Sequence, residues 1–174
     1  MHLLAIDLGD QRTGLAAGDT ETAIASPLKP LLQPLKHTAT KKHGKPTFAF
    51  AEPGTPGDFT ERLIAVIADH QPDAVVIGLP LNADGSESHR SRLARAYAEH
   101  LARWLKAAGR TISVRLADER HSTQRADELM AQTGLTHKQK KARRDSLAAA
   151  AVLADLLQDP EDLPSRAPEI RTPA

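Results

Sequence analysis

Residues 74–79, Ala-Val-Val-Ile-Gly-Leu, are apolar without interruption. A run this short, with no polar alternation, suits a strand covered on both faces, as a central parallel strand between helical layers is. Pro80 stops it. On its N-terminal side Phe59, Leu63, Val66, Ile67 and His70 fall at helical spacing, and Gln71-Pro72 ends that helix. On its C-terminal side Asp84-Gly85-Ser86 offers a turn and caps for a long helix to about Ala108. The buried stripe of that helix is read as Leu93, Tyr97, Leu101, Trp104 and Ala108, and Gly109 ends it. Helix, doubly covered strand, helix is the signature of an α/β domain.

The other segments extend this reading. Residues 2–8 form a first strand, and residues 13–18 and 22–26 flank Asp19-Thr20-Glu21 as a hairpin. Residues 111–117 alternate apolar and polar as a strand. Ser122 or Thr123 caps a helix ending at Gly134, and a last helix runs from near Arg143 to about Leu157. Pro27, Pro30, Pro34, Pro46, Pro53 and Pro56 punctuate residues 27–58, which read as a long insertion loop with one further strand at 47–51. Pro160, Pro164, Pro168 and Pro173 with mixed charges mark residues 159–174 as a disordered tail, leaving 1–158 as the domain. A strand leading into an antiparallel hairpin and then βαβ units is the layout of ribonuclease-H-like folds, with a mixed central sheet flanked by helices.

Composition limits the chemistry. The 174 residues suffice for one compact domain with its own core. There is no cysteine, which excludes disulfides and thiolate metal sites. Lys and Arg total 23 against 22 Asp and Glu, so net charge selects no partner. No apolar run approaches the roughly 20 residues that cross a bilayer. The N-terminus enters a strand-like run without a basic head, so a cytoplasmic protein with no membrane partner is expected.

Three acids stand out. Asp7 closes the apolar run Leu3-Leu4-Ala5-Ile6, where a buried carboxylate is costly unless something binds it. Arg12 nearby could pair with it or reach a phosphate. Asp118 and Glu119 follow the strand at 111–117. Asp118 continues the face of Ile112, Val114 and Leu116, and Glu119 points the other way, so Glu119 is favoured as the metal-facing group. Asp145 shares a helical face with Ala148, Ala149, Val152 and Leu156. It reads either as a salt-bridge partner of Arg12 or Arg143, or as a metal ligand. Oxygen ligands without Cys or His suit Mg²⁺ or Mn²⁺, which can drive phosphodiester hydrolysis. Lys138, Lys140, Lys141, Arg143 and Arg144 crowd just before Asp145, a positive rim suited to a nucleic-acid backbone. The arginines of the middle helix read as a solvated face. With 3% aromatic residues, recognition by base stacking is disfavoured against recognition of backbone shape.

Four ordered blocks resemble the YqgF/RuvX family: Asp7-x-Gly9-x-x-Arg12-x-Gly14; Val76-Ile77-Gly78-Leu79-Pro80-Leu81-Asn82-x-Asp84-Gly85; Asp118-Glu119-Arg120-x-Ser122-Thr123; and Asp145-x-x-Ala148-Ala149. Its members are described as Holliday-junction-resolvase-like nucleases and as pre-16S rRNA nucleases. The resemblance implies a ribonuclease-H-like fold, a cytoplasmic location and a part in maturing the 5′ end of small-subunit ribosomal RNA. It carries Asp7, Glu119 and Asp145 over as metal-binding catalytic acids, and Arg12 and Arg120 as basic positions contacting phosphate or orienting the acids. Asp10 and Gln11 depart from the family, which usually carries Thr and a basic residue there. The reading is a Mg²⁺- or Mn²⁺-dependent endonuclease, monomer or weak dimer, acting on structured RNA such as pre-16S rRNA, possibly on the ribosomal small subunit. The rivals are a nuclease of branched DNA and a non-catalytic RNA or ribosome-assembly binding module. An actin-like ATPase would need a second lobe that this length does not hold.

Overall fold

The computed structural model describes residues 1–32, 35–42, 45–50, 59–119 and 137–171. In chain order the described elements are β1 His2–Leu8, β2 Thr13–Asp19, β3 Ile24–Pro27, β4 His37–Lys42, β5 Lys45–Phe50, α1 Phe59–His70, β6 Ala74–Leu79, α2 His89–Ala107, β7 Ser113–Asp118, α3 His137–Leu156 and a short α4 Leu163–Arg166. The main sheet has the order β3-β2-β1-β6-β7. β1 pairs antiparallel with β2, and β2 with β3, whereas β6 lies parallel between β1 and β7. This is the expected ribonuclease-H-like arrangement, a hairpin on one side and parallel crossovers on the other.

Side-chain alternation along the strands divides the interior into two layers. Leu4, Ile6, Val75, Ile77, Val114 and Leu116 meet α1 and α2 through Phe59, Leu63, Ile67, Tyr97 and Leu101. Leu3, Ala5, Ala74, Val76 and Ala117 face the other way, onto Ala149, Ala150, Val152, Leu153 and Leu156 of α3. β6 is buried at every position, as its uninterrupted apolar sequence requires. The layer beneath α3 is rich in alanine, so that helix approaches the sheet closely.

Several expectations are corrected. The insertion at 27–58 holds the expected strand at 47–51 as β5, and β4, which was not expected, pairs antiparallel with it to form a hairpin. Phe50 reaches across to Tyr97 and His100, with ring centroids 5.3 Å apart in each pair, and Phe48 to His89, also at 5.3 Å. The hairpin is thus anchored on α2 by the aromatics the chain otherwise lacks. α3 begins at His137, ahead of the expected Arg143. Its first turns are Lys, Gln, Ala and Arg, strong helix formers without apolar periodicity. The stripe of α2 is rotated: Ala94, Ala98 and Leu105 are buried beside Tyr97 and Leu101, and Ala108 is exposed. The N-cap is Ser88, whose side chain accepts from the Ser91 amide.

The described part of the supposed disordered tail is ordered, because Leu163 and Ala167 are buried in the α3 layer. Beyond them the chain runs beside β7. The Leu116 amide donates to Pro168 O at 3.2 Å and the Ile170 amide to Val114 O at 2.8 Å. The helix expected between residues 122 and 134 lies outside the described residues. Among those described, no helix is long and apolar enough to cross a membrane.

Candidate active site

The parallel strands β1, β6 and β7 all end at one edge of the sheet, where ligands of open α/β sheets bind. Asp7, Gly78 and Glu119 lie there. Asp7 follows Leu3 and Ala5 in phase, so its carboxylate belongs to the α3 face. It is half-buried, and its pKa is pushed up to about 6, first by burial and then by the negative charge of Asp145, with Arg90 acting in the opposite sense.

Period-two alternation separates the adjacent acids of the third block. Asp118 is exposed. Glu119 folds back over β6, and Gly78 makes room for it: a Cβ at Gly78 would stand 1.6 Å from Glu119 Oε1. The Glu119 amide donates to Leu79 O at 3.3 Å, which holds the chain against β6 past the last residue of β7. Burial pushes the Glu119 carboxyl up to about 8, reinforced by Asp7, opposed by Arg90, and raised further by Asp118. Of the two acids that could face the site, Glu119 is the one that does.

Asp145 arrives from the other side. Gly14 is the β2 residue opposite Asp7. A Cβ there would lie 2.0 Å from the Asp145 carbonyl oxygen, so α3 rests directly on the strand backbone. The Leu15 amide donates to Ser146 Oγ at 3.3 Å and fixes the register of helix against strand. Asp145 Oδ2 lies 3.2 Å from Arg12 Nε. The salt bridge to Arg12 weighed from sequence therefore forms, while Asp145 also stands near enough to Asp7 to raise its pKa.

The three acids thus gather at one edge with Asp7 between the other two. Among the described residues no three carboxylate or imidazole side chains close into a ready-made metal cage. The donor set nonetheless fits a hard divalent cation. It is all oxygen, and two of its carboxylates are buried where their own charges repel, a condition that a cation relieves.

The basic residues divide. Arg12 is at the site, and Arg144 is exposed one residue before Asp145. Lys138, Lys140, Lys141 and Arg143 ride on the first half of α3, with side chains outside the described set, and Arg120 lies outside the described residues. Sequence reasoning assigned Arg90 to a solvated face, yet it belongs to the site. Its Nη2 donates to Leu8 O at 3.2 Å, and its Nε lies 3.9 Å from Asp10 Oδ1. The available signal was its place in the first turn of α2, where the loop leaving β6 returns to the strand ends. His37, at the start of β4, lines the cavity beside Asp7 and was likewise not singled out.

A family model described as "RuvX: Holliday junction resolvase" matches residues 42–159. The chain belongs to the RuvX family. It is 35% identical over 153 residues to a protein of Anaeromyxobacter sp. (strain Fw109-5), covering 88% of this chain and 93% of that one. It is 35% identical over 151 residues to one of Alcanivorax borkumensis (86% and 90%) and 32% over 152 residues to one of Nitrosomonas europaea (87% and 85%). All three relatives carry the description "Putative pre-16S rRNA nuclease". Thermus thermophilus RuvC in complex with a Holliday junction aligns over 98% of this RuvX-family chain and 100% of its own, with TM-score 0.48 and 14% identity.

Proposed function

We propose that this RuvX-family protein is a divalent-metal-dependent endonuclease that hydrolyses phosphodiester bonds in the 5′ region of precursor 16S ribosomal RNA, working in the cytoplasm. The observation that carries the proposal is the burial of Asp7 and Glu119 at the ends of β1 and β7, on either side of β6, with Asp145 near Asp7. Families of relatives described as pre-16S rRNA nucleases support RNA as the substrate. Asp7 and Glu119, joined by Asp145, would hold Mg²⁺ or Mn²⁺. When bound, such an ion supplies an activated water and charge stabilisation for the leaving oxygen.

The chain's own residues do the rest. Burial keeps Asp7 and Glu119 from being solvated as free anions, so they favour a cation over bulk water. Arg12 pairs with Asp145 through Nε, and its guanidinium would contact a substrate phosphate. Arg90 tempers the negative field at the same edge. Arg144 and the lysines and arginines at 138–143 would follow the phosphate backbone.

The test is incubation of the purified protein with precursor 16S RNA and with a four-way DNA junction, each with Mg²⁺, Mn²⁺ or chelator. Cleavage of the RNA that chelation abolishes, and that Asp7→Asn and Asp145→Asn both lose, is the expected result. Cleavage undiminished in both variants overturns the site, and cleavage of the DNA junction alone overturns the substrate. The pairing of Asp145 with Arg12 favours one second reading, an RNA-binding module without turnover. In that case Asp7→Asn leaves RNA affinity unchanged and no divalent ion is bound.

A further inference from the structure

A cavity of about 210 Å³ opens beside Asp7, between the ends of β1 and β6, the first turns of α2 and the base of the β4–β5 hairpin. Leu8, Leu35, Pro80 and Leu93 give it apolar walls, and His37 and Arg90 bring two flat polar groups. Asp7 and Arg90 at its rim serve the hydrolytic site, while Leu8, Leu35, His37, Pro80 and Leu93 have no part in that site. We infer that the cavity receives one unstacked nucleobase of the RNA strand, from a nucleotide next to the phosphate that meets Asp7 and Glu119. The inference rests on the nuclease reading for its substrate and adds how that substrate is selected.

Size, charge and shape each point this way. A cavity of this volume has room for a heteroaromatic ring. Asp7 and Asp10 outnumber the single guanidinium of Arg90 on the wall, which favours a neutral base over an anionic phosphate in the cavity. Apolar walls with a few convergent polar groups are the pattern of sites for small planar ligands. Single-stranded RNA bases are held by stacking on imidazole or guanidinium planes and by hydrogen bonds at their edges. Arg90 is fixed for this purpose by its bond to Leu8 O and its approach to Asp10. The scarcity of Phe, Tyr and Trp therefore does not exclude base reading, because His37 and Arg90 supply the flat surfaces.

The experiment uses the full chain in chelator, so that nothing is cleaved. Single-stranded RNA copying the 5′ processing region carries 2-aminopurine at one position at a time, excited in its own band. Binding should change the fluorescence strongly at one position. Leu93→Trp and Leu35→Trp, which fill the cavity from different walls, should each remove that change while circular dichroism stays as in the wild type. An abasic nucleotide at the responding position should weaken wild-type binding about tenfold and leave the binding of both variants unaltered. A uniform response along the strand, a response that survives both substitutions, or no binding at all overturns the inference. Because the readout needs no metal, a position-specific signal without cleavage in Mg²⁺ would sink the nuclease reading and keep the base pocket. Cleavage without such a signal would do the reverse.

Discussion

Asp7 and Glu119 carry charge where the fold makes charge expensive, and this has a measurable sign. Both folded pKa values are raised above the unfolded ones, to about 6 and about 8. The folded state therefore holds more protons than the unfolded state from about pH 4 to pH 8, and stability falls as pH rises through that window. For Asp7 the loss is on the order of 3 kcal/mol. Urea denaturation of the metal-free protein should show lower stability at pH 8.5 than at pH 5, and Asp7→Asn and Glu119→Gln should each flatten the slope. A wild-type stability that rises over this range contradicts the burial argument. Metal binding must displace the same protons. Titration calorimetry should find Mn²⁺ affinity increasing between pH 6 and pH 8, with proton release that Glu119→Gln reduces. Affinity independent of pH across that interval would mean that Glu119 is not a ligand.

At the scale of elements, two glycines set where the acids stand, and they should fail differently. At Gly78 an added methyl meets the end of a flexible side chain, Glu119. Gly78→Ala should lower cleavage at least as far as Glu119→Gln does while costing little stability. At Gly14 the methyl meets the backbone of Asp145 and Ser146. Gly14→Ala must lift α3 from β2, and overpacking of this kind costs about 1–3 kcal/mol or more. A thermal melt separates the two, and equal melting temperatures for Gly14→Ala and wild type would refute the close docking. The placement of Asp7, Glu119 and Asp145 as candidate ligands was legible in the sequence because strand phase and helical spacing are local. The choice of Glu119 over Asp118 needed only a period of two. Arg90 was not legible, since a charged residue in a long helix looks solvated until the loop from β6 brings that turn back over the strand ends. Strand β4 and the docking of the hairpin on α2 were hidden for a related reason. Phe48 and Phe50 sit among prolines and lysines, and their ring partners on α2, His89 for Phe48 and Tyr97 and His100 for Phe50, lie far along the chain.

The whole molecule must also close its sheet. β7 is the last strand on the parallel side, and an uncovered edge invites pairing with another chain. The segment after α3 answers this. Leu163 and Ala167 bury themselves under α3, Arg166 forms an ion pair with Asp155, Arg115 Nη1 donates to Ala167 O at 3.2 Å, and the backbone of Glu169 pairs antiparallel with that of Arg115 along the edge. Proline spacing made this stretch look unstructured, yet a sheet edge can be covered by a few anchored residues and two backbone hydrogen bonds. Burying a leucine side chain alone stabilises by about 1.5–3 kcal/mol. A chain ending at Gln158 should therefore melt at lower temperature and associate at concentrations where the full chain does not, as read by light scattering. Arg166→Ala, which leaves the backbone pairing and Leu163 in place, should cost much less. The proposed metal-binding edge lies at the ends of the same strands, so the shortened chain should also lose divalent-ion affinity in proportion to its loss of β7 order. If truncation changes neither melting nor association, the C-terminal segment does not protect β7, and the edge must be covered in some other way.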